Sequence, residues 1–478
     1  MPGSSVTGRL ADFACAMDFG MLSAAAVDAT RDLIRDTLGC VIAGRTAPST
    51  RIIASVLEAY GGARQATVLG SGVKLPAALA AHLNAHSGNA LDADDTVLYK
   101  AHVGSAVVPA ALAIAEREGC SGRDLIAAVA AGYEVAGRIG LGLKGLSVDE
   151  AGRFRFGPVT GYSWVSFAAS VAAGRLLRLD PLRMRHAFAL TAAMAPLPGA
   201  TRFGASLPRP MSKYALYGAM AEAGIHAALY AAGGFTGEPD VLDGDQGLWR
   251  IVGALGCDWE AMQRGLDAPD WLVERACYKI YPTCRFLAGP LDLLLDVVHA
   301  HALQVSDIAQ IRVRVPEAGL LKHQAQRTEV ENIVDCGFSL PYAFAVALLA
   351  GPPGPAWLDE HWRSDAALRA FAARIHVSAE PTAAAAAAED LRTVGYNRRM
   401  RCTLELEARG RVYTAQTDYA RGDHDPPEMR LSAADHARKF RTFCAGQLPA
   451  ARTEEALRIL ARLEHEHSVA GLVDNLVA

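Results

Sequence analysis

The sequence predicts a mainly α protein with an α+β portion: a large all-helical domain plus a smaller inserted α+β lid. Three observations predict it. Before residue 300, apolar residues recur at helical spacing and period-2 alternation is scarce. Between residues 308 and 420, three segments alternate apolar and polar side chains as half-buried strands do. After residue 423 the pattern returns to helix. The order fits a discontinuous helical domain over 1–275 and 424–478, interrupted by an α+β lid over 276–423.

Taken in order, Ser121-Gly122-Arg123-Asp124 offers a serine cap with an acid three residues on, ahead of LIAAVAAGYEVAGRIG at 125–140. Asp180-Pro181 supplies a cap and a first-turn proline before LRMRHAFALTAAMA. Segments 163–178 and 212–232 are rich in small residues, which lets their helices approach closely. IAQIRVRVPEAG (308–319) reads as one strand. RMRCTLELEARGRVYTAQTDYA (399–420) reads as two strands around Ala408-Arg409-Gly410. Helices are predicted at 341–350 and 364–374, in the alanine run Ala383–Ala388, and in SAADHARKF at 432–440.

Composition narrows the function classes. The chain has 478 residues, 51% of them hydrophobic and 21% charged, enough for two or three domains with a large interior. Its net charge of −4 favours neither nucleic acid nor an anionic membrane as partner. Nine cysteines are scattered without a C-x-x-C pair, and no secretory signal opens the chain, so reduced thiols and a cytoplasmic location are expected. No apolar run is expected to span a membrane. There is no G-x-x-x-x-G-K-[ST] and no strand-linked G-x-G-x-x-G, so no nucleotide cofactor is expected. His82 and His86 lie four residues apart, but no third ligand has motif spacing, so no metal is expected.

Chemistry concentrates in four short stretches. LDADDTVLYKAH (91–102) places three carboxylates, a threonine and a histidine between two alanine-rich helices. A solvated acidic loop would look similar. Against that, His102 stands just ahead of a helix start, where the dipole favours anions and a neutral imidazole. KIYPTCR (279–285) sets Lys279 and Arg285 around a tyrosine, a proline and Cys284, although a surface turn would read alike. Lys213 opens a long apolar helix, and Tyr342 follows a Ser339-Leu340-Pro341 turn into another, where a core tyrosine is the commoner reading.

These stretches resemble the MmgE/PrpD family, over nearly the full length. The resemblance rests on AHSGNALDADDT (85–96) with His102, AGYEVAGRIG (131–140), AAGRLLRLD (172–180) and SKYALYGAMAEAG (212–224). GGFTGEPDVLDGDQG (233–247), KIYPTCR and FSLPYAFAVALLAG (338–351) add to it. Members include 2-methylcitrate dehydratase, cis-aconitate decarboxylase and iminodisuccinate epimerase. The resemblance implies a homodimer, a cleft between the two domains, and chemistry on a small carboxylate substrate without a cofactor or metal. It assigns Asp92, His102, Lys213 and Tyr342 to catalysis, with Thr96 and Lys279 on the substrate. Arg285 is a further cation for substrate carboxylates, and Cys284 stands beside Tyr342 as a partner acid.

The sequence also departs from the family. The expected His-Pro pair is Gly157-Pro158, the lid histidine position is Ala288, and Tyr99 and Lys100 replace smaller or proline residues. A lyase working by proton transfer next to a carboxylate is expected, dehydration first, with decarboxylation or epimerisation as alternatives. The alternative of another class is a non-catalytic binding protein of the same fold.

Overall fold

The computed structural model describes residues 5–98, 101–148, 154–157, 163–196, 206–316 and 329–478. Its described elements begin with α1 (Val6–Ala16), α2 (Ala24–Gly44), α3 (Pro48–Tyr60), α4 (Ala77–Asn89), α5 (Gly104–Glu118) and α6 (Gly122–Gly142). They continue with α7 (Ser166–Leu176), α8 (Pro181–Met194) and α9 (Ala215–Ala232). The predicted caps form: Ser121 and Asp124 make a reciprocal capping box on α6, and Asp180 accepts from the Arg183 amide on α8.

Small residues set the helix spacing. A Cβ on Gly132 of α6 would lie 2.4 Å from the Ala168 carbonyl oxygen of α7, and one on Gly44 of α2 would lie 1.9 Å from the Ser87 carbonyl oxygen of α4. The backbones therefore meet where larger side chains would hold them apart. Contrary to the sequence expectation, α6 is long and apolar enough to cross a membrane, but 94% of its apolar window is buried inside the protein. Its length and apolarity belong to a core helix.

The expectation of a purely α first half needs correction. Short pairs form between β1 (Ala66–Thr67) and β2 (Lys74–Leu75), and between β4 (Leu146–Val148) and β5 (Phe154–Phe156). A third joins β3 (Thr96–Val97) to β6 (Ala276–Cys277). Runs of two or three residues are too short for alternation to show.

A second hydrophobic cluster gathers around a four-stranded sheet of order β10-β9-β7-β8. Here β7 is Ile308–Val315, β8 Ile375–Ala379, β9 Cys402–Ala408 and β10 Arg411–Thr417. The β9–β10 hairpin turns at Arg409-Gly410, as predicted, and β7 pairs antiparallel with β9 but parallel with β8. The predicted strand thus ends at Val315, and its tail at 317–319 lies outside the described residues. Helices α10 (Ala288–Ala300), α11 (Ile333–Phe338) and α12 (Leu340–Leu349) pack around this sheet, followed by α13 (Ala366–Ala372) and α14 (Ala383–Thr393). α15 (Ala433–Cys444) then returns to pack on α2.

The loop between α4 and α5 joins the two clusters. Ala90, Leu91 and Ala93 belong to the second, while Val97, Leu98, Ala101 and Val103 belong to the first. Register Thr96↔Cys277 ties the same loop to β6, two residues before Lys279. Replacing Gly44 by alanine forces α2 and α4 apart, an overpacking cost of about 1–3 kcal/mol. Chemical denaturation of Gly44→Ala against the parent checks this, and unchanged stability would refute the close-approach reading.

Candidate active site

The site is built on that loop. Asp92 adopts φ +53°, a left-handed conformation that aspartate tolerates better than most residues. Its amide donates to the Asn89 carbonyl, 3.0 Å away. Its carboxylate, 1% exposed, receives two ammonium groups from distant parts of the chain. Lys213, in the turn just before α9, reaches Oδ2 at 3.1 Å. Lys279 pairs with Oδ1 and also donates to the Asp92 carbonyl at 2.6 Å. Burial pushes the Asp92 carboxyl up, but Lys213 and Lys279 outweigh it and hold the group well below the usual carboxylate range.

His102 sits two residues before α5 with its ring edge-on to Tyr217, centroids 5.5 Å apart. Its Nε2 lies 3.9 Å from Asp92 Oδ1. Its Nδ1 lies 2.8 Å from the Asp95 carbonyl oxygen and 3.3 Å from Asp94 Oδ1. The Tyr217 hydroxyl on α9 accepts from the His102 amide at 3.3 Å. The Lys213 ammonium lies 4.5 Å from the Tyr214 ring centroid and 5.7 Å from that of Phe338, so Phe338 of α11, which packs with Tyr214 in a small separate cluster, helps to place it.

The two acids beside Asp92 are driven apart. Burial pushes the Asp94 carboxyl up, but His102 and Lys279, then hydrogen bonds from His102 and Ser105, hold it well below the usual range. Asp95 is pushed well above it by burial, then by the charges of Asp94 and Asp36. The Tyr133 hydroxyl at 3.2 Å and the Gly104 amide at 2.9 Å only partly offset this.

Several sequence-predicted residues stand elsewhere. Tyr342 is corrected from catalyst to core residue: its hydroxyl donates to the Trp357 carbonyl at 2.6 Å, and no described contact joins it to Asp92, His102 or either lysine. Arg285 is corrected from substrate cation to internal brace, because its guanidinium donates to the Tyr278 carbonyl at 2.8 Å and pairs with buried Asp423. Lys279 lies in the cluster but is 1% exposed and committed to Asp92, so it anchors the loop rather than meeting a ligand. Cys284 packs beside Tyr214 and Phe338, and burial pushes its thiol up to about 11, so it keeps its proton. The Thr96 hydroxyl is buried and has no hydrogen-bond partner among the described residues.

The departures from the family pattern leave no imidazole at Gly157 or Ala288, and Ala288 is buried in the second cluster. Tyr99, Lys100 and Pro158 lie outside the described residues. Sequence reading missed the partners that fix the acids: Asn89, Ser105, Tyr133 and Tyr217, each within reach of Asp94, Asp95 or His102. It also missed the buried pairs Arg209–Asp335, at 3.3 Å, and Lys439–Asp36, at 2.5 Å. Only proximity to the acidic loop could have flagged Asn89 and Ser105.

Donor atoms of Asp92, Asp94 and His102 lie within 4.8 Å of one another. Two ammonium groups already balance these carboxylates and Nδ1 is committed to a carbonyl, so the donor set does not suit a divalent cation. His82 and His86 turn to different partners, Glu222 at 2.6 Å and Ser49 at 3.0 Å.

Opposite pH signatures follow for the two acids. Asp95 binds its proton more tightly folded than unfolded, so it lowers stability as pH rises from about 4 toward its folded value. Asp95→Asn, whose amide copies the neutral acid, will flatten the stability loss between about pH 5 and pH 8. Asp94 contributes stability above about pH 4 that is lost as its carboxylate is protonated, so Asp94→Asn will destabilise at neutral pH. Denaturant midpoints across pH decide both, and a steeper loss in Asp95→Asn would refute the assignment.

Comparison with known proteins bears on most of the chain. The MmgE/PrpD N-terminal domain matches residues 8–255 and the MmgE/PrpD C-terminal domain matches residues 281–465. Human cis-aconitate decarboxylase is 26% identical over 361 residues, 70% of this chain and 72% of the relative. Cis-aconitate decarboxylase of Aspergillus terreus is 26% identical over 326 residues, 65% of this chain and 64% of its own. A cis-aconitate decarboxylase-like protein of Aspergillus oryzae is 26% identical over 254 residues, covering 52% and 51%. With the two domain matches in chain order over most of its length, and the loop, lysines and histidine gathered in one place, the chain belongs to the MmgE/PrpD family.

Proposed function

We propose that this protein is a lyase for a small acid carrying two or more carboxylates, and that it forms and protonates a carbanion next to a carboxylate. The observation that carries this reading is the convergence of His102 and Asp92, from the α4–α5 loop, with Lys213, from the turn before α9, each of His102 and Lys213 lying under 4 Å from Asp92. Lys213, at 8% exposure, is the cation with a face left for a ligand, whereas Lys279 is enclosed.

The chemistry follows from those positions. When a carboxylate leaves as CO2, the electron pair of its C–C bond passes into the conjugated system ending on a second carboxylate. An ammonium at Lys213 stabilises that charge where water is scarce. Nε2 of a protonated His102 then delivers a proton to carbon, and water restores the imidazolium. Such acid–base help is worth roughly 10²–10⁴ in rate. The sequence put dehydration first; the names of the relatives support decarboxylation ahead of it. Both need a stabilised carbanion and a placed proton donor.

A panel of di- and tricarboxylic acids tests this in deuterated water, with CO2 release and deuterium incorporation at carbon as readouts. Turnover that His102→Ala abolishes while keeping its fold supports the reading. No exchange and no turnover of any acid would favour the non-catalytic alternative. The two lysines separate in the same assays. Lys213→Ala will weaken substrate use with a modest effect on stability. Lys279→Ala removes one of the two ammonium partners of a buried carboxylate together with the bond to its main-chain carbonyl, and will cost about 3–5 kcal/mol of unfolding free energy. Equal stability losses would contradict the division of labour.

A further inference from the structure

Behind His102 stands a polar clamp that the proposed reaction does not itself employ. The Asp95 main-chain oxygen, 2.8 Å from Nδ1, can only accept, so Nδ1 carries hydrogen and the neutral ring leaves Nε2 as its free nitrogen. Asp94 Oδ1 is 3.3 Å from the same Nδ1. That carboxylate is itself fixed on both oxygens, by Asn89 Nδ2 at 3.0 and 2.9 Å and by Ser105 Oγ at 2.5 Å. Asn89 closes α4 and Ser105 opens α5, so two helix ends hold one anion against the ring.

We propose that Asp94 is the positioning residue for His102: clamped by Asn89 and Ser105, it holds the ring in the tautomer that the Asp95 carbonyl selects, keeps Nε2 toward Asp92, and stabilises the protonated imidazole. This rests on His102 being the acid–base group. The logic is that of a carboxylate orienting a catalytic histidine from behind, where the carboxylate does not take the proton. The neighbouring acid shows why Asp94 and not Asp95 carries the charge. Burial pushes the Asp95 carboxyl up and the residue offers His102 only its backbone carbonyl, whereas His102 and Lys279 hold the Asp94 carboxyl well below the usual range. Two adjacent carboxyls thereby take separate roles. Among the described residues, the other charged or titratable groups facing this assembly include Asp92 from the loop, Lys213 and Tyr217 from the α9 region, Lys279 after β6, Tyr133 of α6 through Asp95, and the buried pair of Asp36 on α2 with Lys439 on α15.

The test reads the imidazole directly and needs no substrate. Exchange of the His102 ring C2 proton is followed by mass spectrometry of the full-length protein in deuterated buffer across pH. Asp94→Asn will move the midpoint of the exchange curve down by roughly one pH unit or more, as removal of a nearby opposite charge does. Ser105→Ala, which loosens the clamp, will move it the same way by less. Asp95→Asn keeps the backbone carbonyl and will not move it down. A folded Asp94→Asn with an unmoved midpoint overturns the proposal. Should that variant fail to fold, an unmoved midpoint in Ser105→Ala does so. Failure of the carboxylate panel would strike the lyase reading and leave this result standing, so the two are separable.

Discussion

The buried carboxylate of Asp92 is the constraint on which the rest of the structure depends. It is 1% exposed, and an isolated charge at that depth would be costly enough to unfold its surroundings. Lys213, just before α9, and Lys279, just after β6, both pair with it, and Lys279 also holds the loop's main-chain carbonyl. The loop thereby becomes a joint: its apolar residues divide between two hydrophobic cores, its backbone pairs with β6, and its ionised side chains point inward. Stability and site geometry are set by the same few bonds.

Charge balance then connects the joint to function. With His102 neutral, the ammonium groups of Lys213 and Lys279 face the carboxylates of Asp92 and Asp94. These groups sum to no net charge. A surplus positive charge for an anionic substrate arises when His102 takes up a proton, so on the proposed reading the form that attracts the substrate is also the form that donates to carbon. On the proposed reading, with no imidazole at Gly157 or Ala288, proton delivery falls to His102.

What was legible in the sequence was local. The capping box at Ser121 and Asp124, the Asp180 cap and the β9–β10 hairpin depend on neighbours a few residues apart, and they form as read. The α4–α5 loop stood out because three carboxylates within four residues break an apolar pattern. Arg285 and Tyr342 were misplaced because their partners are not local: Asp423 lies 138 residues beyond Arg285, and the Trp357 carbonyl 15 beyond Tyr342. Asp94 and Asp95 are chemically identical on paper. Only folding, by setting His102, Lys279 and Ser105 beside one and burying the other next to Asp94 and Asp36, pushes the two carboxyls in opposite directions.

The most direct measurement is a double-mutant cycle on the joint, with Asp92→Asn and Lys279→Met alone and together, read by equilibrium unfolding. The account predicts that the pair is less damaging together than the singles sum to, with a coupling of roughly 1–3 kcal/mol. Additive effects, within about 0.5 kcal/mol, would show that the two groups do not act as one ion pair. The claim that this contact joins the two cores and builds the site would then fail.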